Sequence, residues 1–161
     1  MAPLNEEIIS RAIRIETEAQ DFYHRLVGQI QNRGGRRKMK ALSRNEEQHK
    51  KMLKKWFRSL TGREYNPTPD QDTPADRGGE NPAGLGEHVF TDQASALQVI
   101  SFAIGMEERA LRYYTEQLEN LDDPKDIGLF KRLIRFEARH KSLLQAEYSR
   151  LNSSFYWISD A

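Results

Sequence analysis

The sequence contains no cysteine, which excludes disulfide scaffolds, thiol catalysis, Cys-ligated zinc and Cys-held iron–sulfur clusters. No apolar run approaches the roughly 18 residues of a membrane span, and the start, MAPLNEEIIS, lacks the basic and apolar regions of a secretory signal. The expectation is a cytoplasmic protein without membrane contact. An excess of one charge is also missing: 25 Lys plus Arg stand against 24 Asp plus Glu, a formal net charge of +1. Bulk electrostatics therefore give no reason to expect nucleic acid as a partner. Proline is scarce, and four of the six prolines fall between Thr61 and Phe90 (Pro67, Pro69, Pro74 and Pro82). A chain of 161 residues is the usual size of one domain with one core, expected here over 1–161.

What is abundant is helical periodicity. Ile8, Ala12, Ala19, Tyr23, Leu26 and Ile30 form one stripe, and Met39, Leu42, Leu53, Trp56 and Leu60 a second. A third holds Ala96, Ile100, Ala103, Ala110, Tyr114 and Leu121, and a fourth Phe130, Leu133, Leu144 and Leu151. Steps of three, four or seven place each set on one helix face. Asn5, Thr91 or Asp92, and Asp123 before Pro124 read as N-caps, and Gly34-Gly35 as a turn. The spacing predicts helices over 5–31, 36–60, 92–121 and 124–151. The crossover 61–91 is too long for a hairpin, but it suits a link running the length of a bundle. Short, long and short connections describe an all-α, ferritin-like four-helix bundle: two antiparallel helix pairs with a long crossover between helices 2 and 3.

The chain is also an internal repeat. Shifted by 91 residues, 12–60 aligns with 103–151 with 13 identities in 49 positions, against roughly three from composition alone. Matched pairs include Glu16 with Glu107, Tyr23 with Tyr114, Glu46 with Glu137 and His49 with His140. These polar residues sit on the apolar stripes. In helix 2 the series 39, 42, 46, 49, 53, 56, 60 is interrupted by Glu46 and His49; in helix 4 the series 130, 133, 137, 140, 144, 147, 151 carries Glu137 and His140. Glu16 and Glu107 stand on the inner stripes of helices 1 and 3. Four buried carboxylates would repel one another and resist desolvation. Two divalent cations resolve both problems, because a carboxylate can bridge two metals while each imidazole completes one. The i, i+3 spacing of Glu-x-x-His sets both side chains on one face, and one glutamate from each of two helices plus two such pairs is a dinuclear carboxylate pattern.

The segments IETEAQDFY, RNEEQH, GMEERALRYY and RFEARH resemble the four ligand-bearing stretches of rubrerythrin-like di-iron proteins in the ferritin-like superfamily. The resemblance implies Glu46 and Glu137 as bridging carboxylates, with Glu16 and His49 completing one metal and Glu107 and His140 the other. It implies two iron ions per chain, with Mn or Zn as possible substitutes, and O2 or H2O2 as substrate. Two departures matter. Rubrerythrins with a rubredoxin domain carry a Cys-ligated iron, which a cysteine-free chain cannot hold, so electrons must come from an external donor. The family's extra glutamate, one turn after the third-helix ligand, falls at Ala110. The remaining six-residue set is closer to a bacterioferritin ferroxidase centre.

The resulting expectation is a di-iron oxidoreductase in oxidative-stress chemistry, reducing peroxide or dioxygen. A ferroxidase and a non-catalytic metal bundle stand beside it. Quinone hydroxylation is a weaker option, since no exposed apolar surface helix is apparent. Tyr23 and Tyr114, two turns beyond Glu16 and Glu107, are read equally as donors to a ligand carboxylate or as core aromatics. His24 and His88 read as exposed histidines. The basic run Arg33, Arg36, Arg37, Lys38, Lys40 with Lys50, Lys51, Lys54 and Lys55 reads as a solvated face. The tail 152–161 ends in Phe155, Tyr156 and Trp157, expected to pack on the bundle or on a second subunit, with a homodimer as the default association.

Overall fold

A computed structural model of the chain describes residues 3–67, 92–154 and 157. Four helices account for nearly all of them: α1 (Glu6–Val27), α2 (Arg33–Thr61), α3 (Gln93–Leu118) and α4 (Pro124–Ser153). Each start is capped by the side chain that the sequence offers. Asn5 accepts from Ile8 N at 3.0 Å, and Asp92 forms a capping box with Ser95. Asp123 accepts from Lys125 N at 2.7 Å, with Pro124 opening α4. Such caps satisfy amide groups that a helix start leaves unpaired, at about 1 kcal/mol each. Gly62 ends α2 in the left-handed region, with φ 74°, a conformation that glycine adopts without steric cost.

The expected boundaries shift at the first connection. α1 stops at Val27 rather than 31, and α2 begins at Arg33 rather than 36. Gly34-Gly35 is therefore not the turn; it lies in the first turn of α2, where Asn32 accepts from Gly35 N at 3.0 Å. Glycine at 35 serves close packing instead. A Cβ there would lie 3.1 Å from both Ile30 Cγ2 and Trp157 Nε1. The α2 stripe also drifts after Leu53. Phe57 is the buried residue, Trp56 is only partly buried with Nε1 donating to Asp126, and Leu60 is 44% exposed. Period 3.6 explains the step from 53 to 57.

α1 packs on α2 and α3 on α4, each pair joined by a short link. The register across the bundle fixes the topology. Tyr23 reaches Glu107 while Tyr114 reaches Glu16, so α1 and α3 are antiparallel. Lys38 meets Glu147 and Trp56 meets Asp126, so α2 and α4 are antiparallel too. α2 and α3 are then parallel, and the end of one lies at the opposite end of the bundle from the start of the other. That is the ferritin-like arrangement. Residues 68–91 of the crossover, with His88, lie outside the described residues, as do Phe155 and Tyr156.

Two apolar clusters fill the interior. One gathers Phe22, Leu26, Ile30, Met39, Leu42, Ile100, Leu144, Leu151 and Trp157. The other gathers Ile9, Ile13, Leu53, Phe57, Tyr113, Phe130 and Leu133. Glu16, Glu46, His49, Glu107, Glu137 and His140 lie between the two along the helices. No described helix is long and apolar enough to cross a membrane.

Trp157 is fully buried against the bundle. Its indole N–H donates to Glu147 Oε1 at 3.0 Å, and its carbonyl accepts from Gln31 N and Asn32 N at 3.0 and 3.1 Å. Glu147 is itself buried on the α4 stripe and pairs with Lys38. Arg36 donates to the Ile30 and Gln31 carbonyls at 3.0 Å. Two members of the basic run thus also tie down the bundle end, Lys38 partly buried and Arg36 while staying exposed. His24 is exposed, as expected.

Candidate metal centre

Each of the four helices delivers one buried carboxylate to the layer between the apolar clusters: Glu16, Glu46, Glu107 and Glu137, none more than 2% exposed. His49 and His140 enter from α2 and α4 at 5% and 4% exposure. Both rings turn Nδ1 inward. His49 Nδ1 lies 2.9 Å from Glu46 Oε2, 3.1 Å from Glu16 Oε2 and 3.3 Å from Glu137 Oε1. His140 Nδ1 lies 2.9 Å from Glu46 Oε1, 3.4 Å from Glu137 Oε2 and 3.9 Å from Glu107 Oε1. All six residues singled out by the stripes are therefore brought together.

They form two overlapping groups. Glu16, Glu46, His49 and Glu137 make one; Glu46, Glu107, Glu137 and His140 make the other. Within each group one ligating atom per residue lies within 4.8 Å of the rest. Glu46 and Glu137 belong to both, which is the position of a carboxylate able to touch two cations. Glu46 Oε1, Glu137 Oε1 and His140 Nδ1 are buried without a hydrogen bond. The 2.9 Å approach of His140 Nδ1 to Glu46 Oε1 is close enough for one but not aimed for one. Buried polar atoms are ordinarily paired. Unpaired atoms converging from α2 and α4 fit oxygen and nitrogen donors to a hard or borderline divalent cation. The donor set is compatible with a di-iron site.

Tyr23 Oη donates to Glu107 Oε1, and Tyr114 Oη to Glu16 Oε1. Both rings are fully buried. Burial first, then Glu107 and Glu46 around Tyr23 and Glu16 and Glu137 around Tyr114, raise both phenols well above the usual range. They stay protonated and donate. Both readings of these tyrosines hold, since each ring packs in an apolar cluster while its hydroxyl donates to a glutamate of the other repeat.

Protonation shows the cost of the layer without cations. Burial, then Glu137 and Glu46, raise the Glu16 carboxyl well above the usual range; burial, then Glu46 and Glu137, do the same for Glu107. Burial alone would lower both histidines, but the Glu137, Glu16 and Glu46 carboxylates beside Nδ1 push His49 up to about 12, and the nearby Glu137 and Glu46 carboxylates push His140 up to about 9. Burial opposes ionisation of Glu137 as well, yet the His140 and His49 imidazoles beside it bring it down to about 2. At pH 7 the metal-free centre holds protons on both imidazoles. A cation needs those nitrogens bare, so uptake at pH 7 releases at least the two imidazolium protons, and affinity rises as pH rises toward 9. A pH indicator in weakly buffered solution reads this directly; uptake without proton release contradicts it.

A cavity of about 320 Å³ between α1 and α3 ends on Glu16, Glu107 and Glu137. Ala19 and Ala110, matched by the repeat, line it together, with Arg11, Arg14, Arg109 and Arg112 around it. Both alanines are small side chains, which leaves the space over Glu16 and Glu107 open. A second cavity, about 370 Å³, lies between α2 and α4 against the outer edges of both histidines. Sequence reasoning missed two of its lining residues. Asn45 lies 3.3 Å from His140 Nε2, and Phe136 stacks on His49 with ring centroids 4.6 Å apart. Neither interrupts an apolar stripe, so periodicity carried no signal for them.

The rubrerythrin family profile matches residues 7–148. The chain belongs to the rubrerythrin family. A search of curated proteins returned no match. Among solved structures, a hypothetical protein from Pyrococcus furiosus has the same fold, with a TM-score of 0.74 and 22% identity. The match covers 96% of this chain and 92% of that one. Rubrerythrin membership and the buried Glu/His groups agree on a ferritin-like protein suited to a di-iron site.

Proposed function

We propose that the protein is a di-iron oxidoreductase that reduces hydrogen peroxide or dioxygen with electrons from an external donor. The observation that carries the proposal is the pair of overlapping three-glutamate, one-histidine groups sharing Glu46 and Glu137. In it Glu46 and Glu137 would be shared between two ions, with Glu16 and His49 completing one and Glu107 and His140 the other. A bound ferrous pair supplies the two electrons that, with two protons, convert H2O2 into two waters. Four carboxylates favour the more highly charged oxidised ions. Tyr23 and Tyr114 fix the terminal carboxylates Glu107 and Glu16 from the opposite helix. The apolar clusters on either side limit water and side reactions. The oxidant reaches the centre through the α1/α3 cavity over Ala19 and Ala110. The described domain holds no cysteine for an iron–sulfur relay; the reading takes its electrons from an external donor and places a homodimer in the cytoplasm.

Ala110 favours one second reading, a ferroxidase that oxidises iron for storage, because the extra glutamate of peroxide-reducing relatives is missing. Anaerobic loading with Fe(II), followed by stopped-flow absorbance on adding H2O2 or O2, separates the two. The proposal expects two irons per chain, faster oxidation by peroxide, and repeated cycling with reductant. Fast O2 oxidation with iron retained in a cage-sized assembly selects the ferroxidase, and no reaction with either oxidant selects a non-catalytic bundle. Ala110→Leu should fill the α1/α3 cavity and slow oxidation about tenfold, a barrier increase of about 1.4 kcal/mol, with iron content unchanged. An unchanged rate places the oxidant's route elsewhere.

A further inference from the structure

The repeat relates the two halves of the centre residue by residue. Glu16 corresponds to Glu107, Tyr23 to Tyr114, Glu46 to Glu137 and His49 to His140. The contacts follow the same symmetry, each tyrosine donating to the glutamate of the other half. The correspondence breaks at the outer edges of the histidines, where Asn45 in α2 corresponds to Phe136 in α4. Asn45 places its carboxamide 3.3 Å from His140 Nε2. Phe136 instead stacks on the face of His49, at 4.6 Å and 20°, and His49 Nε2 has no hydrogen-bond partner among the described residues.

We infer that the two metal positions are unequal, and that Asn45 is the positioning residue that makes the Glu107–His140 position the tighter and the first to fill. This rests on the dinuclear reading above. An imidazole that gives Nδ1 to a metal carries its proton on Nε2 and must donate it. Asn45 can accept that proton once its carboxamide presents Oδ1, a half-turn from the amide nitrogen that faces the ring. The bond fixes the ring's rotation and strengthens Nδ1 as a donor, and losing such a bond typically costs about 10–100-fold in metal affinity. Phe136 restrains the His49 ring by its face but accepts nothing, and leaves that N–H to the α2/α4 cavity.

Anaerobic titration of metal-free protein with Co(II), read by calorimetry and visible absorption, tests the inequality without turnover. Wild type should bind two ions in two steps separated by about 10–100-fold. Asn45→Ala should weaken the tighter step by that factor and merge the two, whereas Asn45→Asp, which keeps an acceptor, should preserve the separation. Phe136→Asn should tighten the weaker step. Glu16→Ala should leave a single ion whose affinity depends on Asn45; Glu107→Ala should leave one that does not. Thermal melts of the metal-free variants check that each still folds. Two equal ions in wild type, or a separation indifferent to Asn45→Ala, overturns the inference. Failure to bind a Co(II) pair at all overturns the dinuclear reading beneath it.

Discussion

Glu46→Gln combined with Glu137→Gln should abolish binding of the metal pair while leaving the bundle folded. Both residues belong to each ligand group, so their loss removes two donors from each metal position at once. The thermal consequence has a different cause in each state. Metal-loaded wild type gains about 2.7 kcal/mol for each site held at a hundred times its Kd, and the double variant gains nothing. Metal-free, the variant should also melt lower, because His49 and His140 lose the carboxylates that hold them protonated. Removing one partner of a buried ion pair commonly costs about 3–5 kcal/mol. Differential scanning calorimetry with and without Fe(II) or Mn(II) gives both comparisons. Retained metal stoichiometry, or a metal-dependent gain in melting temperature equal to that of wild type, contradicts the assignment of these two glutamates.

The second large effect lies far from the Glu/His layer. Trp157→Ala should destabilise the protein by about 3–5 kcal/mol, the usual cost of truncating a fully buried large aromatic. At about 2–4 °C per kcal/mol for a chain of this size, the melting temperature falls by about 6–20 °C. Two contributions add: the void beside Ile30 and Gly35, and the loss of the indole donor to Glu147, a carboxylate that is 1% exposed. Trp157→Phe separates them, because it keeps most of the volume and removes the donor; about 1.5–3 kcal/mol is expected for a hydrogen bond to a charged group. Metal stoichiometry should not change, since Trp157 belongs to the cluster at the bundle end. A shift in melting temperature below about 2 °C for Trp157→Ala would mean that the tail contributes little to the fold.

These two sites differ in how far the sequence disclosed them. The buried Glu/His layer was legible because Glu16, Glu46, His49, Glu107, Glu137 and His140 interrupt apolar stripes, and because the 91-residue shift pairs them. Polar residues on a buried face need a reason, and two matched sets narrow the reasons sharply. Glu147 stands on the same α4 stripe, yet its role was not legible. It lies outside both Glu-x-x-His pairs, and its partners Lys38 and Trp157 come from α2 and from a tail without periodicity. Gly34-Gly35 misled for a related reason. Glycine marks turns by default, whereas Gly35 makes room for a side chain 122 residues further along the chain. Asn45 meets the outer edge of His140 and Phe136 the face of His49, and neither periodicity nor spacing distinguishes them from surface residues.

The central claim is that the six residues hold two metal ions between Glu46 and Glu137. Diffraction from crystals loaded anaerobically with Fe(II), with anomalous data collected at the iron edge, tests it most directly. Two peaks about 3.5–4 Å apart are expected, one against Glu16 and His49 Nδ1, the other against Glu107 and His140 Nδ1, with Glu46 and Glu137 spanning both. A single peak, or a layer that stays free of iron while iron collects elsewhere on the chain, contradicts it.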